Sequence, residues 1–160
     1  MERIRVAWGS GRGPTATASF DAALADANLA NYNLVTVSSV VPADATVERV
    51  GTAPDLGPAG DALYCVLART TLDPGADGPA AAGIGWARSP SGEGLFYEES
   101  GTGADAVRER VVGGLDHGLA LRDWNAERDP AVIVETRSAV EDAHTTAVVV
   151  AAYGRSQSLL

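Results

Sequence analysis

Asn31-Tyr32-Asn33-Leu34-Val35-Thr36-Val37-Ser38-Ser39-Val40-Val41-Pro42 is the stretch on which the reading of this chain turns. Its β-branched residues and closing proline predict a buried strand over Asn33–Val41. Two adjacent serines in a strand interior are unusual, because each hydroxyl needs a hydrogen-bond partner once water is removed. Either both hydroxyls bond neighbouring strands, or the strand ends there, or the pair carries chemistry.

The flanking sequence alternates in period on both sides. Ile4, Val6 and Trp8 alternate with Arg3, Arg5 and Ala7, the pattern of a half-buried strand, which Gly9-Ser10-Gly11-Arg12-Gly13-Pro14 should break. A helix capped by Thr17 or Ser19 is expected through about Asn28, with Phe20, Ala23, Leu24 and Ala27 on its apolar face and Asp21 in its first turn. After Pro42-Ala43-Asp44, Thr46–Val50 reads as a short strand, and 51–60 as a loop with two prolines. Ala62–Ala68 is a nearly continuous apolar run, expected as a central strand covered on both faces. Ala81–Arg88 and Gly94–Glu98 flank the turn-forming Ser89-Pro90-Ser91-Gly92-Glu93, a hairpin pattern. Val107, Val111, Leu115 and Leu119 recur every fourth residue and mark an amphipathic helix from Gly103 to about Arg122. Val132–Val134 and Thr145–Tyr153 supply further strands, and the tail 154–160 is expected to be loose. Strands outnumber helices about three to one by this count. The expected fold class is α+β, two antiparallel or mixed sheets packed face to face with helices outside, in a single domain spanning 1–160.

Composition narrows the chemistry. The chain has 160 residues and a formal net charge of −9, and all 12 basic residues are arginine. Dispersed acidic residues repel phosphate backbones, so nucleic-acid binding is not expected. Acid of this kind with no lysine and abundant Ala, Gly and Val resembles proteins of salt-loving archaea. Without lysine there can be no pyridoxal phosphate aldimine, no lysine base and no standard phosphate-loop lysine. Cys65, the one cysteine, sits in an apolar run and reads as a reduced core thiol. No apolar run approaches the roughly 18 residues of a membrane span, and no signal region follows the first charges; the expectation is a cytoplasmic protein with no membrane contact. His117 and His144 are too far apart to suggest a metal site, and none is expected.

Removing carbon dioxide from an α-amino acid leaves a carbanion that no natural side chain can delocalise. An electron sink is needed, and a carbonyl made from the chain itself would serve. Phe20-Asp21-Ala22-Ala23-Leu24 together with Asn31–Pro42 resembles the self-processing region of the pyruvoyl-dependent arginine decarboxylases. Gly94-Leu95-Phe96-Tyr97-Glu98, and more loosely the helix ending near Arg122-Asp123-Trp124, extend the resemblance over most of the chain.

The resemblance implies an αββα sandwich and autocatalytic cleavage between Ser38 and Ser39. Residues 1–38 would become a β chain, and residues 39–160 an α chain headed by a pyruvoyl group derived from Ser39. It implies that Asn33 assists cleavage through its amide, that Asp21 holds the substrate guanidinium, and that Glu98 reprotonates the product carbon. A glutamate at the end of an apolar strand suits the last role, since lost hydration raises its pKa; Glu99 beside it reads as an ordinary exposed carboxylate. The implied reaction is decarboxylation of L-arginine to agmatine through a Schiff base on the pyruvoyl group, in a homotrimer with sites at subunit interfaces. One departure concerns the substrate end: the family pattern Thr-Pro-Leu-x-Ala is replaced by Thr15-Ala16-Thr17-Ala18-Ser19. Three alternatives stay open at this point. Gly9–Gly13 before a helix could cradle a phosphate in an uncleaved nucleotide-binding module. A pyruvoyl enzyme could act on another amino acid. A non-processing relative could serve as a structural subunit, although Ser38, Ser39, Asn33 and Glu98 are all retained.

Overall fold

The structure, a computed structural model, describes residues 2–160. Among them the order is β1 (Arg3–Gly13), α1 (Ala16–Asp26), β2 (Asn33–Thr36), β3 (Val40–Val41), β4 (Thr46–Gly51), β5 (Ala62–Leu72), β6 (Ala80–Arg88), β7 (Gly94–Thr102), α2 (Ala104–Leu121), β8 (Ala131–Arg137) and β9 (His144–Tyr153). A five-stranded mixed sheet, ordered β2-β5-β9-β1-β4, faces a four-stranded antiparallel sheet ordered β3-β7-β6-β8. In the first sheet β2 runs parallel to β5 and β1 parallel to β4, while β9 is antiparallel to both of its neighbours. Helix α1 covers the outer face of the five-stranded sheet and α2 that of the four-stranded sheet. The expected αββα sandwich is therefore the fold. Neither helix is long and apolar enough to cross a membrane.

Three apolar layers follow from strand alternation. Val6, Val66, Ile84, Phe96 and Val149 fill the space between the sheets. Ala7, Leu63, Cys65, Val148 and Val150 face α1, and Val107, Val111, Leu115 and Leu119 seat α2. Strand β9, buried from Thr145 to Ala152, lies at the centre of its sheet; β5 lies one strand out and is covered on both faces over Ala62–Ala68 except at Tyr64, which is exposed. The Cys65 thiol is free and buried, which pushes its pKa up to about 11.

The glycines of Gly9–Gly13 do not break β1. They stay in register with β9 (Gly9↔Val148, Gly11↔Thr146, Gly13↔His144), so their backbone is committed to the sheet. Their role is to let α1 lie directly on the strand. A Cβ on Gly9 would come 2.5 Å from the Ala23 carbonyl oxygen, one on Gly11 2.6 Å from Ala22 Cβ, and one on Gly13 2.7 Å from the Ser19 nitrogen. The phosphate-cradle reading of this segment is corrected: it is a helix-packing surface, not an anion loop.

Other departures from expectation are local. Thr15, not Thr17 or Ser19, caps α1, accepting from the Ala18 N–H at 3.0 Å, because Pro14 ends the strand one residue earlier. Ser19 is instead buried, bonded to Thr146 Oγ1 at 2.7 Å, and Asp21 lies in mid-helix rather than in the first turn. The tail is pinned, not loose: Gln157 pairs with Ala62, and the Ser156 hydroxyl donates to Asp61 at 3.0 Å. The one long strand expected over Asn33–Val41 is two short ones belonging to different sheets.

These contacts set opposite signs for two glycine substitutions. Gly11→Ala forces a methyl into the α1 backbone and should cost about 1–3 kcal/mol. Gly113→Ala sits on α2 with nothing within 4 Å of the new methyl and should gain up to about 1 kcal/mol from helix propensity. Denaturant unfolding of the two variants measures both.

Candidate active site

Ser38 and Ser39 occupy the crossing from one sheet to the other. Just upstream, Val37 still donates its N–H to the Cys65 carbonyl of β5 at 3.0 Å; just downstream, the Ser39 carbonyl accepts the Phe96 N–H of β7 at 2.8 Å. The Ser38–Ser39 peptide spans that change of partner. Ser39 makes the turn with φ +63°, in the left-handed region that non-glycine residues avoid. Such a conformation costs on the order of 1–3 kcal/mol and survives only where the surroundings enforce it.

The surroundings are well supplied with anchors. Val40–Val41 pair with Leu95 and Gly94, and the Tyr153 hydroxyl donates to the Val40 carbonyl at 2.8 Å. Burial first, then the Glu98 and Cys65 charges, push the Tyr153 pKa up to about 12, so it stays a donor. Arg88, the last residue of β6, spreads its guanidinium over the carbonyls of Gly92, Ala45, Pro42 and Ala43 at 2.6–3.1 Å, fixing the turn that follows β3. Phe96, itself fully buried, stacks edge-on between Trp86 and Tyr153 with ring centroids 6.0 and 6.1 Å away. Neither Tyr153 nor Arg88 was singled out from the sequence. Their partners lie 113 and 4–46 residues away, and a strand-end tyrosine or arginine carries no local signal.

The Ser39 hydroxyl donates to Glu98 Oε2 at 3.0 Å. Glu98 stands inside β7, opposite Ile84, rather than at the strand end expected from its sequence, because the strand continues to Thr102. Although Glu98 is exposed as a residue, the atoms packed about its carboxyl raise its pKa above the ordinary value. Hydrogen bonds from Ser39 and from its own backbone oppose that rise, and the Glu99 charge adds to it. Glu99 is not the free surface carboxylate expected: it is half-buried and ion-paired with Arg110 of α2 at 3.6 Å.

Two cavities share the wall made by Glu98 and Glu99. The smaller, about 280 Å³, also takes in Ser38, Ser39 and Arg122. The larger, about 650 Å³, is bounded by Phe20, Leu24, Leu34 and Leu67, with Asn33 and Arg69 as further polar members. Asn33 thus reaches the cavity beside Glu98, but not Ser39 of its own chain: its amide donates to the Gly60 carbonyl at 2.6 Å. At a strand rise of about 3.3 Å per residue, the length of β2 alone puts roughly 10 Å between Asn33 and the crossing. Asp21 is exposed on α1, one residue beyond Phe20, outside the walls of both cavities. The structure therefore joins Ser38, Ser39 and Glu98, sets Asn33 on the far side of Glu98, and leaves Asp21 apart.

No cluster of three potential metal ligands occurs among the described residues. The group that fits this site is one made from the chain. Ser39 has its hydroxyl on a carboxylate, a strained backbone, and a preceding peptide held from both sides.

A family model described as pyruvoyl-dependent arginine decarboxylase matches residues 3–158. A pyruvoyl-dependent arginine decarboxylase of Halobacterium salinarum is 54% identical over 158 residues, covering 98% of this chain and 96% of its own. Proteins of the same description from Thermococcus sibiricus and Pyrococcus furiosus are each 34% identical, over 79% and 85% of this chain and 79% and 84% of theirs. With the family model spanning nearly its whole length and the sandwich, the crossing serines and the glutamate in place, this chain belongs to the pyruvoyl-dependent arginine decarboxylase family.

Proposed function

We propose that the chain cuts itself between Ser38 and Ser39 and that the resulting pair of chains, 1–38 and 39–160, converts L-arginine to agmatine and carbon dioxide. The observation that carries this reading is the 3.0 Å bond from the Ser39 hydroxyl to Glu98 at the inter-sheet crossing. Glu98 takes the hydroxyl proton as the Ser39 oxygen attacks the Ser38 carbonyl carbon. Strain at Ser39 favours this step, since breaking the peptide releases the left-handed turn. The pyruvoyl carbonyl left at position 39 supplies the electron sink for decarboxylation.

The other residues bind and move protons. The larger cavity has the volume for an amino acid and an acidic wall beside position 39. There Glu98, with its raised pKa, holds the proton that the substrate carbon takes up once carbon dioxide has left. Asn33 and Asp21 are assigned to the cleavage oxyanion and to the guanidinium, respectively, across a subunit boundary. Supporting that boundary, Val35, Tyr64 and Val40 are exposed beside the crossing, with Val35 and Tyr64 paired in register on β2 and β5. An apolar surface exposed beside the site suits a neighbouring copy, and the assembly proposed is a trimer. A cytoplasmic location is proposed from the single cysteine, which is free and buried.

Intact-mass analysis tests the central claim. Purified protein should give two chains divided after Ser38, the larger lacking a free amino terminus and yielding agmatine from arginine. Ser39→Ala should give one intact chain and no agmatine. A native protein that stays whole yet binds a ligand, or that prefers another amino acid in competition assays, overturns the corresponding half of the reading.

Glu98 serves as base in cleavage and as acid in turnover, so the two processes have opposite pH dependence. Its pKa lies above the ordinary value of 4.5. Rising pH deprotonates it, so cleavage accelerates through that pKa while turnover by already cleaved enzyme declines. Glu98→Gln should slow cleavage roughly hundredfold or more and flatten its pH profile. Parallel profiles for the two processes would remove the double role.

A further inference from the structure

Arg122 has no role in the assignments above, yet it borders the same cavity as Ser38 and Ser39. It stands at the C-cap of α2, where the orphan carbonyls and the helix dipole favour a cation. Capping occupies little of it. Nη1 donates to the Gly118 carbonyl at 3.0 Å, and the guanidinium lies 5.8 Å from the centre of the Trp124 ring. A guanidinium has five N–H donors, so most remain for the cavity it faces.

The charges around that cavity say what those donors are for. Its walls already hold two carboxylates, Glu98 and Glu99, and Arg110 balances only the second. Cleavage adds a third. Once the Ser39 oxygen has displaced the peptide nitrogen, Ser38 is joined to Ser39 by an ester. A base then removes the Ser39 Cα proton, the Cα–H electron pair forms the Cα=Cβ double bond, and the Cβ–Oγ bond breaks. The electron pair of that bond leaves with Ser38 as its new α-carboxylate. A carboxylate generated beside two others needs a counter-charge to be a good leaving group. Among the residues bordering the cavity, Arg122 is the one cation.

We propose that Arg122 is the counter-charge for the Ser38 carboxylate, acting on the elimination and not on the preceding acyl shift, and afterwards holding the C-terminus of the 1–38 chain. The inference rests on cleavage occurring at Ser38–Ser39. It makes a distinctive demand: removing the charge should stall the reaction after the ester has formed.

Arg122→Gln keeps an N–H for the Gly118 carbonyl and removes the charge. Freshly folded precursor is followed by intact mass, with and without hydroxylamine. Hydroxylamine attacks the ester carbonyl, leaving residues 1–38 as a hydroxamate and residues 39–160 with an N-terminal serine. Expected for Arg122→Gln is at least roughly tenfold slower appearance of the blocked 39–160 chain, with most of the delayed protein trapped as hydroxamate. Arg122→Lys should restore much of the rate and lower the trapped fraction. Native rates in Arg122→Gln would overturn the proposal. So would slowing with only intact amide present, or an Arg122→Lys variant as slow as Arg122→Gln. Folding is checked by comparing melting of Ser39→Ala with and without Arg122→Gln; a large drop there assigns any slowing to the helix cap and also overturns it. Failure of the underlying cleavage reading looks different, since the unmodified protein itself would then never divide at Ser38.

Discussion

One peptide bond belongs to both sheets. Upstream of it the chain is hydrogen-bonded to β5, downstream to β7, and the two sheets are clamped together by a fully buried apolar layer. Relieving the turn at Ser39 by shifting the sheets would open the buried cluster of Phe96, Ile84, Val66 and Val149 between them. A left-handed serine is therefore enforced from outside. This separates the crossing from an ordinary edge loop, where a strained residue would relax into solvent.

The same topology decides what cleavage can and cannot do. Residues 1–38 carry β1, α1 and β2. Strand β1 lies between β9 and β4 and pairs with β9 over ten residues, while Ile4, Val6, Ala23, Leu24 and Leu29 are buried. Cutting after Ser38 removes a covalent link without removing a layer, so the short chain stays in place as an integral part of the sheet. On the other side, the proposed cleavage makes position 39 a chain end. The β3 pairing, the Tyr153 hydroxyl on the Val40 carbonyl and the Arg88 clamp on the next turn hold that end beside Glu98. An end tethered at three points behaves like a positioned side chain, and placement of this kind contributes much of the advantage of a built-in cofactor over a diffusing one.

What was legible in the sequence follows from which interactions are local. Four-residue spacing marked α2 because the four large apolar residues that seat it, Val107, Val111, Leu115 and Leu119, lie on one helix face. Turn chemistry at 89–93 marked the β6–β7 hairpin, because that turn is made by residues adjacent in sequence. The crossing was not legible: Leu34-Val35-Thr36-Val37 and Val40-Val41 have identical strand character, and only tertiary partners reveal that they join different sheets. Ser-Ser flagged the position without showing its geometry. The glycines of β1 misled in the opposite direction, since local rules read Gly-x-Gly-x-Gly as a loop. The reason for glycine is a helix laid on the strand, a contact with residues on α1 that is visible only once the two elements are docked. Glu98 was expected at a strand end and stands inside β7, because Glu99, Ser100 and Gly101 lack strand character and remain in the strand through pairing with β6.

The separation of Ser39 from Asn33 and Asp21 bears on how the site is completed. Within one chain, β2 is the outermost strand of its sheet, with Asn33 at one end and the crossing at the other. An exposed edge strand with Val35 and Tyr64 side by side is a poor surface to leave in water, and edges of this kind are normally covered. In the trimer proposed above, a second copy covers that edge and supplies the groups that one chain sets apart from its own crossing. Assembly would then bring together at the subunit boundary what the fold keeps apart. The strained serine and its carboxylate are built by each chain alone, whereas the amide assigned to the oxyanion and the carboxylate assigned to the guanidinium stand apart from them.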